Sequence, residues 1–183
     1  MSQLKELLIE ELQDLLHAEN QLVAALPKMA AAAKAPRLRE GFEKHLDQTK
    51  AHVERLKRAF ELLGSEAEPR TCRGMAGLIE EGEERIEESK TKDDISADLS
   101  LVAAAQRVEH YEIAAYGIAR TLAMEIDEHD VARLISHTLG EEERTDYLLT
   151  EISKPLLQEA RMEDLGVVGE GRQTMHSGGG QRG

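Results

Sequence analysis

Apolar residues recur every three or four positions along most of this chain. Leu8, Leu12, Leu15, Leu22, Leu26 and Met29 form one such row, and the 4-3 spacing predicts a helix from about Gln3 to Lys34 with Ser2 as its N-cap. Pro27 lies inside that row; the apolar spacing continues past it, so a kink is expected there rather than an end. Pro36 suits the first turn of a second helix, about Arg37 to Leu63, and Gly64 suits its C-terminal stop. A polar connection, SEAEPRTCR, precedes a shorter helix over Met75 to Ser89. A further long helix is predicted over about Ser96 to Met124, and a last one over about Glu128 to Ala160, capped by Asp127 and weakened near its end by Pro155.

The expected fold class is therefore all-α: four long helices in two hairpins, with a long middle connection that carries a short extra helix. Residues 1–165 form this bundle, and the Gly-rich stretch from Gly166, without periodicity, reads as a disordered tail over 166–183. His176 in that tail reads as an ordinary exposed histidine.

Each apolar stripe is broken near the middle of its helix. Glu19 interrupts the first. The second reads Leu38, Phe42, His45, Thr49, His52, Leu56, Ala59, Leu63. The third reads Leu101, Ala105, Val108, Glu112, Ala115, Ala119, Leu122, with Glu109 one turn before Glu112. The fourth reads Ile135, Leu139 or Thr138, Glu142, Asp146, Leu149, Ile152. In an up-down bundle the helix midpoints meet at one depth, so Glu19, His52, Glu109, Glu112, Glu142 and Asp146 should converge. Buried carboxylates repel one another and lose their hydration, and only protons or a cation can answer for them. Oxygen and imidazole donors around a shared centre suit iron or manganese, with zinc as a substitute. The helix-two donor stays open between His52, Gln48 and His45, the last lying a turn or two from the midpoint level. The separations Glu19 to Glu112, 93 residues, and His52 to Asp146 and Gln48 to Glu142, 94 each, put the two hairpins in comparable register.

Composition narrows the function classes. The 183 residues carry 23 Lys and Arg against 36 Asp and Glu, a formal net charge of −13, which opposes association with nucleic acid or anionic lipid. Aromatics make up 3% and Trp is absent, so the core must come from Leu, Ala, Ile, Val and Met, residues that favour helix. No apolar run approaches the length of a membrane span, and the charged start MSQLKELLIEEL lacks the apolar stretch of a signal peptide. Cys72 is the one cysteine, which excludes an internal disulfide and a thiolate cluster and makes a reducing cytoplasm the simplest home.

Taken singly, these residues have plainer readings. Glu19 alone could be a hydrogen-bonded carboxylate, and His45 or His52 a packed histidine bonded to backbone or to Thr49. Tyr111 and Tyr116 read as packing residues whose hydroxyls find a partner, such as one of these carboxylates. His17, His110, His129 and His137 fall off the seams. The runs around Glu141 and Glu143 and around Glu84 read as solvated faces, and Cys72 as an incidental residue in a polar loop. Four stripes interrupted at one level outweigh these separate readings.

The segments LLHAENQLVAALPKMA, HLDQTKAHVERL, AAQRVEHYEIAAYG and TLGEEERTD resemble the YciE/YciF-type ferritin-like stress proteins of bacteria, over about residues 4–150. The resemblance implies a ferritin-like four-helix bundle, dimeric and cytoplasmic, with a dinuclear iron or manganese site and a role in general or osmotic stress. The ligand positions it implies are Glu19, Glu109, Glu112, Glu142 and Asp146, with helix two contributing around Gln48 and His52. The chain departs from the wider ferritin-like pattern of Glu-x-x-His on two helices. Helix two has Thr49 and Gln48 where an acid belongs, and the last helix has Asp146 where a His belongs.

Three functions are consistent with these residues. A dimetal redox protein would consume peroxide or oxygen, or oxidise Fe(II); if the chain is an enzyme, it is such an oxidoreductase. A non-enzymatic bundle would use metal to set its stability or assembly. A metal-free polar core would mediate association. No catalytic triad, phosphate-binding Gly-rich loop or nucleic-acid motif is present.

Overall fold

The computed structural model describes residues 2–166. Five helices follow one another: α1 (Gln3–Ala32), α2 (Pro36–Leu63), α3 (Arg73–Ser89), α4 (Asp94–Glu125) and α5 (His129–Asp164). The tail expected over 166–183, with His176, lies outside the described residues apart from Gly166.

Local chemistry sets most boundaries. The Ser2 side chain accepts from the Lys5 amide, and Asp93 accepts from Ser96 at the start of α4. Pro36 sits in the first turn of α2, and Gly64 closes that helix in the left-handed region at φ 64°. Pro27 and Pro155 both lie inside continuous helices, and α5 runs nine residues beyond Pro155. Asp127 is not the cap of α5. It takes φ 59° to reverse the chain, and Glu128 holds the cap position without a side-chain hydrogen bond. A short-chain acid tolerates that left-handed turn, which serves the chain reversal better than the cap.

The four long helices close a ring: α1 packs on α2, α2 on α5, α5 on α4, and α4 back on α1. The short α3 lies outside this ring against α4 and α1. Asp98 of α4, 1% exposed, clamps the α1–α2 turn by accepting from the amides of Lys34 (2.8 Å) and Ala35 (2.6 Å). A carboxylate at that point satisfies two amides that the tight turn leaves without helical partners.

Two apolar half-cores fill the ring. One comprises Leu8 to Leu16, Val53 to Leu63, Tyr116 to Ala123 and Val131 to Leu139; the other comprises Leu22 to Ala33, Leu38, Phe42, Leu101 to Val108, Leu149 and Ile152. Between them lies a layer of buried polar side chains: Glu19, His45, Thr49, His52, Glu109, Glu112, Glu142 and Thr145. This is a four-helix bundle with a polar waist.

Candidate metal centre

Six side chains from four helices meet at the waist. His45, Glu109, Glu112 and Glu142 each bring one donor atom within 4.8 Å of the others, and Glu19, His52 and Glu142 do the same. Glu142 belongs to both groups. Donors about 2.0–2.2 Å from one shared ion lie at most about 4.4 Å apart, so little contraction would complete either sphere. All six residues are 2% exposed or less.

Eight of their polar atoms lack partners. Glu19 Oε2, His45 Nε2, His52 Nδ1, Glu109 Oε2 and both oxygens of Glu112 and of Glu142 are buried without a hydrogen bond. The contacts are close nonetheless: His52 Nδ1 lies 2.8 Å from Glu142 Oε1 and 3.2 Å from Glu19 Oε1, and His45 Nε2 lies 3.3 Å from Glu109 Oε1. Buried polar groups are almost always satisfied, so a set this dense is unusual and could hold a cation.

Electrostatics agree. Burial, reinforced by Glu142, raises the Glu109 carboxyl well above the ordinary range, and burial with Glu19 does the same to Glu112. Burial raises Glu19 as well, against the pull of His52. For His52, burial opposes the charge, but the contacts with Glu142 and Glu19 prevail and raise its pKa to about 10. Burial keeps His45 below its usual value. Burial alone would raise Glu142, but His52, His45 and Glu109 together lower it. Without a cation, the site thus shares protons among its acids and charges one imidazole.

Around these donors stands a supporting set. Tyr116, fully buried, donates its hydroxyl to Glu19 Oε1, which leaves Oε2 as the unpartnered oxygen of that carboxylate. His52 Nε2 lies 3.0 Å from Glu141 Oε2, and the Arg55 guanidinium donates to the same oxygen at 2.6 Å and to Thr138 at 3.2 Å. Thr145 Oγ1 lies 3.4 Å from His45 Nδ1 and bonds the Glu141 carbonyl. Both imidazoles are thus engaged on their outer nitrogen while the inner one faces the acids. That arrangement orients a metal-binding histidine.

Of the residues expected to converge, Glu19, His52, Glu109, Glu112 and Glu142 do so. Asp146 does not: it is half-buried, accepts from Gln106 Nε2 at 3.0 Å, and lies 3.4 Å from the exposed His110. Three residues, not four, separate Glu142 from the next inward position on α5, so Thr145 occupies it. On α2 both His45 and His52 face the cluster. His45 is 2% exposed inside the larger group, whereas Gln48 is half-buried and Thr49, bonded to the His45 carbonyl, faces inward between the histidines. The repeat of 93 and 94 residues therefore pairs Glu19 with Glu112 but does not extend to the other residues of the cluster. Two further expectations fail. Glu141 is not on a solvated face but 15% exposed between Arg55 and His52. Cys72 is fully buried: it caps α3, contacts the Tyr111 hydroxyl at 2.9 Å, and its amide donates to His17. A run of glutamates carries no mark of which one the helix turns inward, and a polar loop sequence hides a docked cap.

Comparison with known proteins agrees with this architecture. Residues 3–162 match the family described as Domain of unknown function (DUF892). Protein YciF of Escherichia coli (strain K12) is 40% identical over 154 residues, 84% of this chain and 92% of that protein. The crystal structure of the E. coli stress protein YciF superposes with a TM-score of 0.82 at 38% identity, covering 86% of this chain and 99% of that one. Ferritin-like, diiron-carboxylate proteins from Bacillus anthracis share the fold, with a TM-score of 0.63 at 17% identity over 84% of this chain and all of theirs, 100%. With its ferritin-like bundle and a match spanning nearly all the described residues, the chain belongs to the DUF892 family and is a relative of YciF.

Proposed function

We propose that this protein binds two metal ions, iron or manganese, at the waist of its bundle. The observation that carries the reading is the convergence of eight unpartnered, buried donor atoms on six side chains between two apolar half-cores. His45, Glu109 and Glu112 would hold one ion, Glu19 and His52 the other, and Glu142, common to both groups, would serve both. Carboxylate oxygen with imidazole nitrogen suits iron or manganese and accepts zinc.

A bound pair of such ions would supply electron exchange with oxygen, peroxide or Fe(II) as substrate during stress. The chain's own groups supply the rest. Tyr116 fixes the rotamer of Glu19, Glu141 and Arg55 orient His52, and the apolar half-cores exclude bulk water. The protein would act in the cytoplasm as a homodimer, without nucleic-acid or membrane partners; no helix among the described residues is long and apolar enough to cross a membrane.

Metal analysis of protein reconstituted anaerobically with Fe(II) or Mn(II) tests the site. Two ions per chain are expected for the native sequence, about one after Glu19→Ala, and none after Glu142→Ala. Full stoichiometry in both variants would overturn the assignment. A second reading, a metal-stabilised bundle without catalysis, draws on the near-complete burial of all six ligands. Exposure of the Fe(II) protein to oxygen or peroxide separates the two: absence of spectral change and turnover would favour the structural role.

A further inference from the structure

One cavity reaches the waist from outside. It opens between α1 and α3, and its wall is built from Leu22, Leu26, Met29, Phe42, Ile79 and Val108 among other small or apolar side chains, while His45 and Glu109 belong to the same lining. Lys28 and Glu83 are its exposed lining residues, and their ion pair, 2.6 Å long, joins the two helices there. The exposed part of the lining is thus a surface ion pair, the wall is apolar, and two buried candidate ligands belong to the same lining.

Size and lining select the occupant. The space is about 40 Å³, room for the centres of about three water-sized spheres. A peptide, a sugar or an acyl chain does not fit. Water in such a space needs two to four polar partners, and the aliphatic wall offers none along most of its length. An apolar molecule of two or three heavy atoms meets no such cost. Gly82 contributes to this shape: it is a buried, lining glycine of α3, and a Cβ built on it meets nothing within 4 Å. A glycine inside a helix costs about 0.5–1 kcal/mol relative to alanine, and here the missing side chain leaves space open rather than permitting a close backbone approach.

We propose that this cavity is a binding and entry site for a small apolar molecule of the size of dioxygen, delivering it to the His45–Glu109 end of the metal centre. The binding part stands on the cavity alone; the delivery part rests on the metal reading given above. Charged or strongly hydrated oxidants would need another route, because the wall cannot replace their hydration.

Xenon is the probe. Crystals of the protein pressurised with xenon should show one atom among Leu26, Phe42, Ile79 and Val108, and methyl resonances of Leu26 and Val108 should shift on xenon addition in solution. Gly82→Leu should fill the space and abolish both signals at unchanged metal stoichiometry, whereas Gly82→Ala should retain xenon. Should Gly82→Leu fail to fold, Ile79→Phe fills the same space from the neighbouring turn. In iron-loaded protein the filled variant should react with dioxygen at least tenfold more slowly while its reaction with hydrogen peroxide is unchanged. No xenon in the native protein, or xenon retained in the filled variant, overturns the binding site. Xenon loss with an unchanged dioxygen rate overturns delivery. Absence of any oxygen reaction in the native protein, with xenon bound, counts against the redox reading and leaves the cavity assignment standing.

Discussion

His52 turns its Nε2 toward Glu141, 3.0 Å away, so that its Nδ1 faces the buried acids. Glu141 and Glu142 are adjacent in sequence, yet one addresses the outer nitrogen of this imidazole and the other the inner. Replacing Glu141 by Gln keeps the shape but weakens the acceptor, and Glu141→Ala removes it. The loss of an outer carboxylate typically lowers metal affinity about 10–100-fold. Competition titration with a chelator should show that loss for Glu141→Ala and a smaller one for Glu141→Gln. In zinc-loaded protein, nitrogen-15 chemical shifts of His52 should show the Nε2–H tautomer held in the native chain and released in the variants.

The centre is a cost to the metal-free fold. Both oxygens of Glu112 are buried and unpartnered. Leaving such a group unsatisfied costs about 1–3 kcal/mol, and an apolar replacement of similar volume escapes that cost. Metal-free Glu112→Met should therefore be more stable than the native chain by about 1–3 kcal/mol in urea at neutral pH, and should bind metal poorly. A destabilised variant would show that Glu112 is satisfied in the metal-free state.

Stability of the metal-free protein should fall as pH rises. Burial and neighbouring acids raise the folded pKa of Glu109 and Glu112, so the folded state holds protons that the unfolded chain releases. Their contribution is complete below the unfolded value, about 4.3, and is lost as pH rises through the folded values. His52 acts in the same direction, with its contribution lost as pH rises through about 10. Glu141, lowered by Arg55 and His52 against its burial, acts oppositely and loses its contribution as pH falls. The melting temperature should thus peak in the weakly acidic range and decline toward pH 8. Metal should flatten that decline, since the cation replaces the protons. An identical pH profile with and without metal would contradict this.

The dock of α3 should be sensitive to a single methyl group. A Cβ on Gly74 would stand 2.7 Å from Cε2 of Tyr111, whose hydroxyl donates to Asp14 at 2.9 Å and contacts Cys72 Sγ at the same distance. The ring is held at its tip and cannot swing away freely. Gly74→Ala should cost about 1–3 kcal/mol, a typical overpacking penalty, read by thermal or urea unfolding. The Cys72 thiol, whose pKa burial raises, should react with a thiol reagent at the unfolding rate in the native protein and faster in Gly74→Ala.

Much of this molecule was legible along the chain. Ser2, Pro36 and Gly64 mark helix boundaries because their chemistry is local: a cap, a fixed φ and a left-handed turn depend on a few neighbouring residues. The interrupted stripes revealed Glu19, His52, Glu109, Glu112 and Glu142 because a helix of fixed period projects each position onto a known face. Asp127 escaped the same logic, since a cap and a left-handed turn call on the same kind of residue.

By itself, then, the sequence determined the helices, the bundle and the depth at which its acids meet, since helix period and turn chemistry are short-range and repeat along the chain. The tertiary structure decided which neighbour of each inward residue faces the waist. His45 faces it, Asp146 turns to Gln106, Glu141 contacts His52 and Gly82 lines a cavity. Those outcomes turn on the rotation of one helix against another by a fraction of a turn, about 100° per residue, which only packing in three dimensions sets.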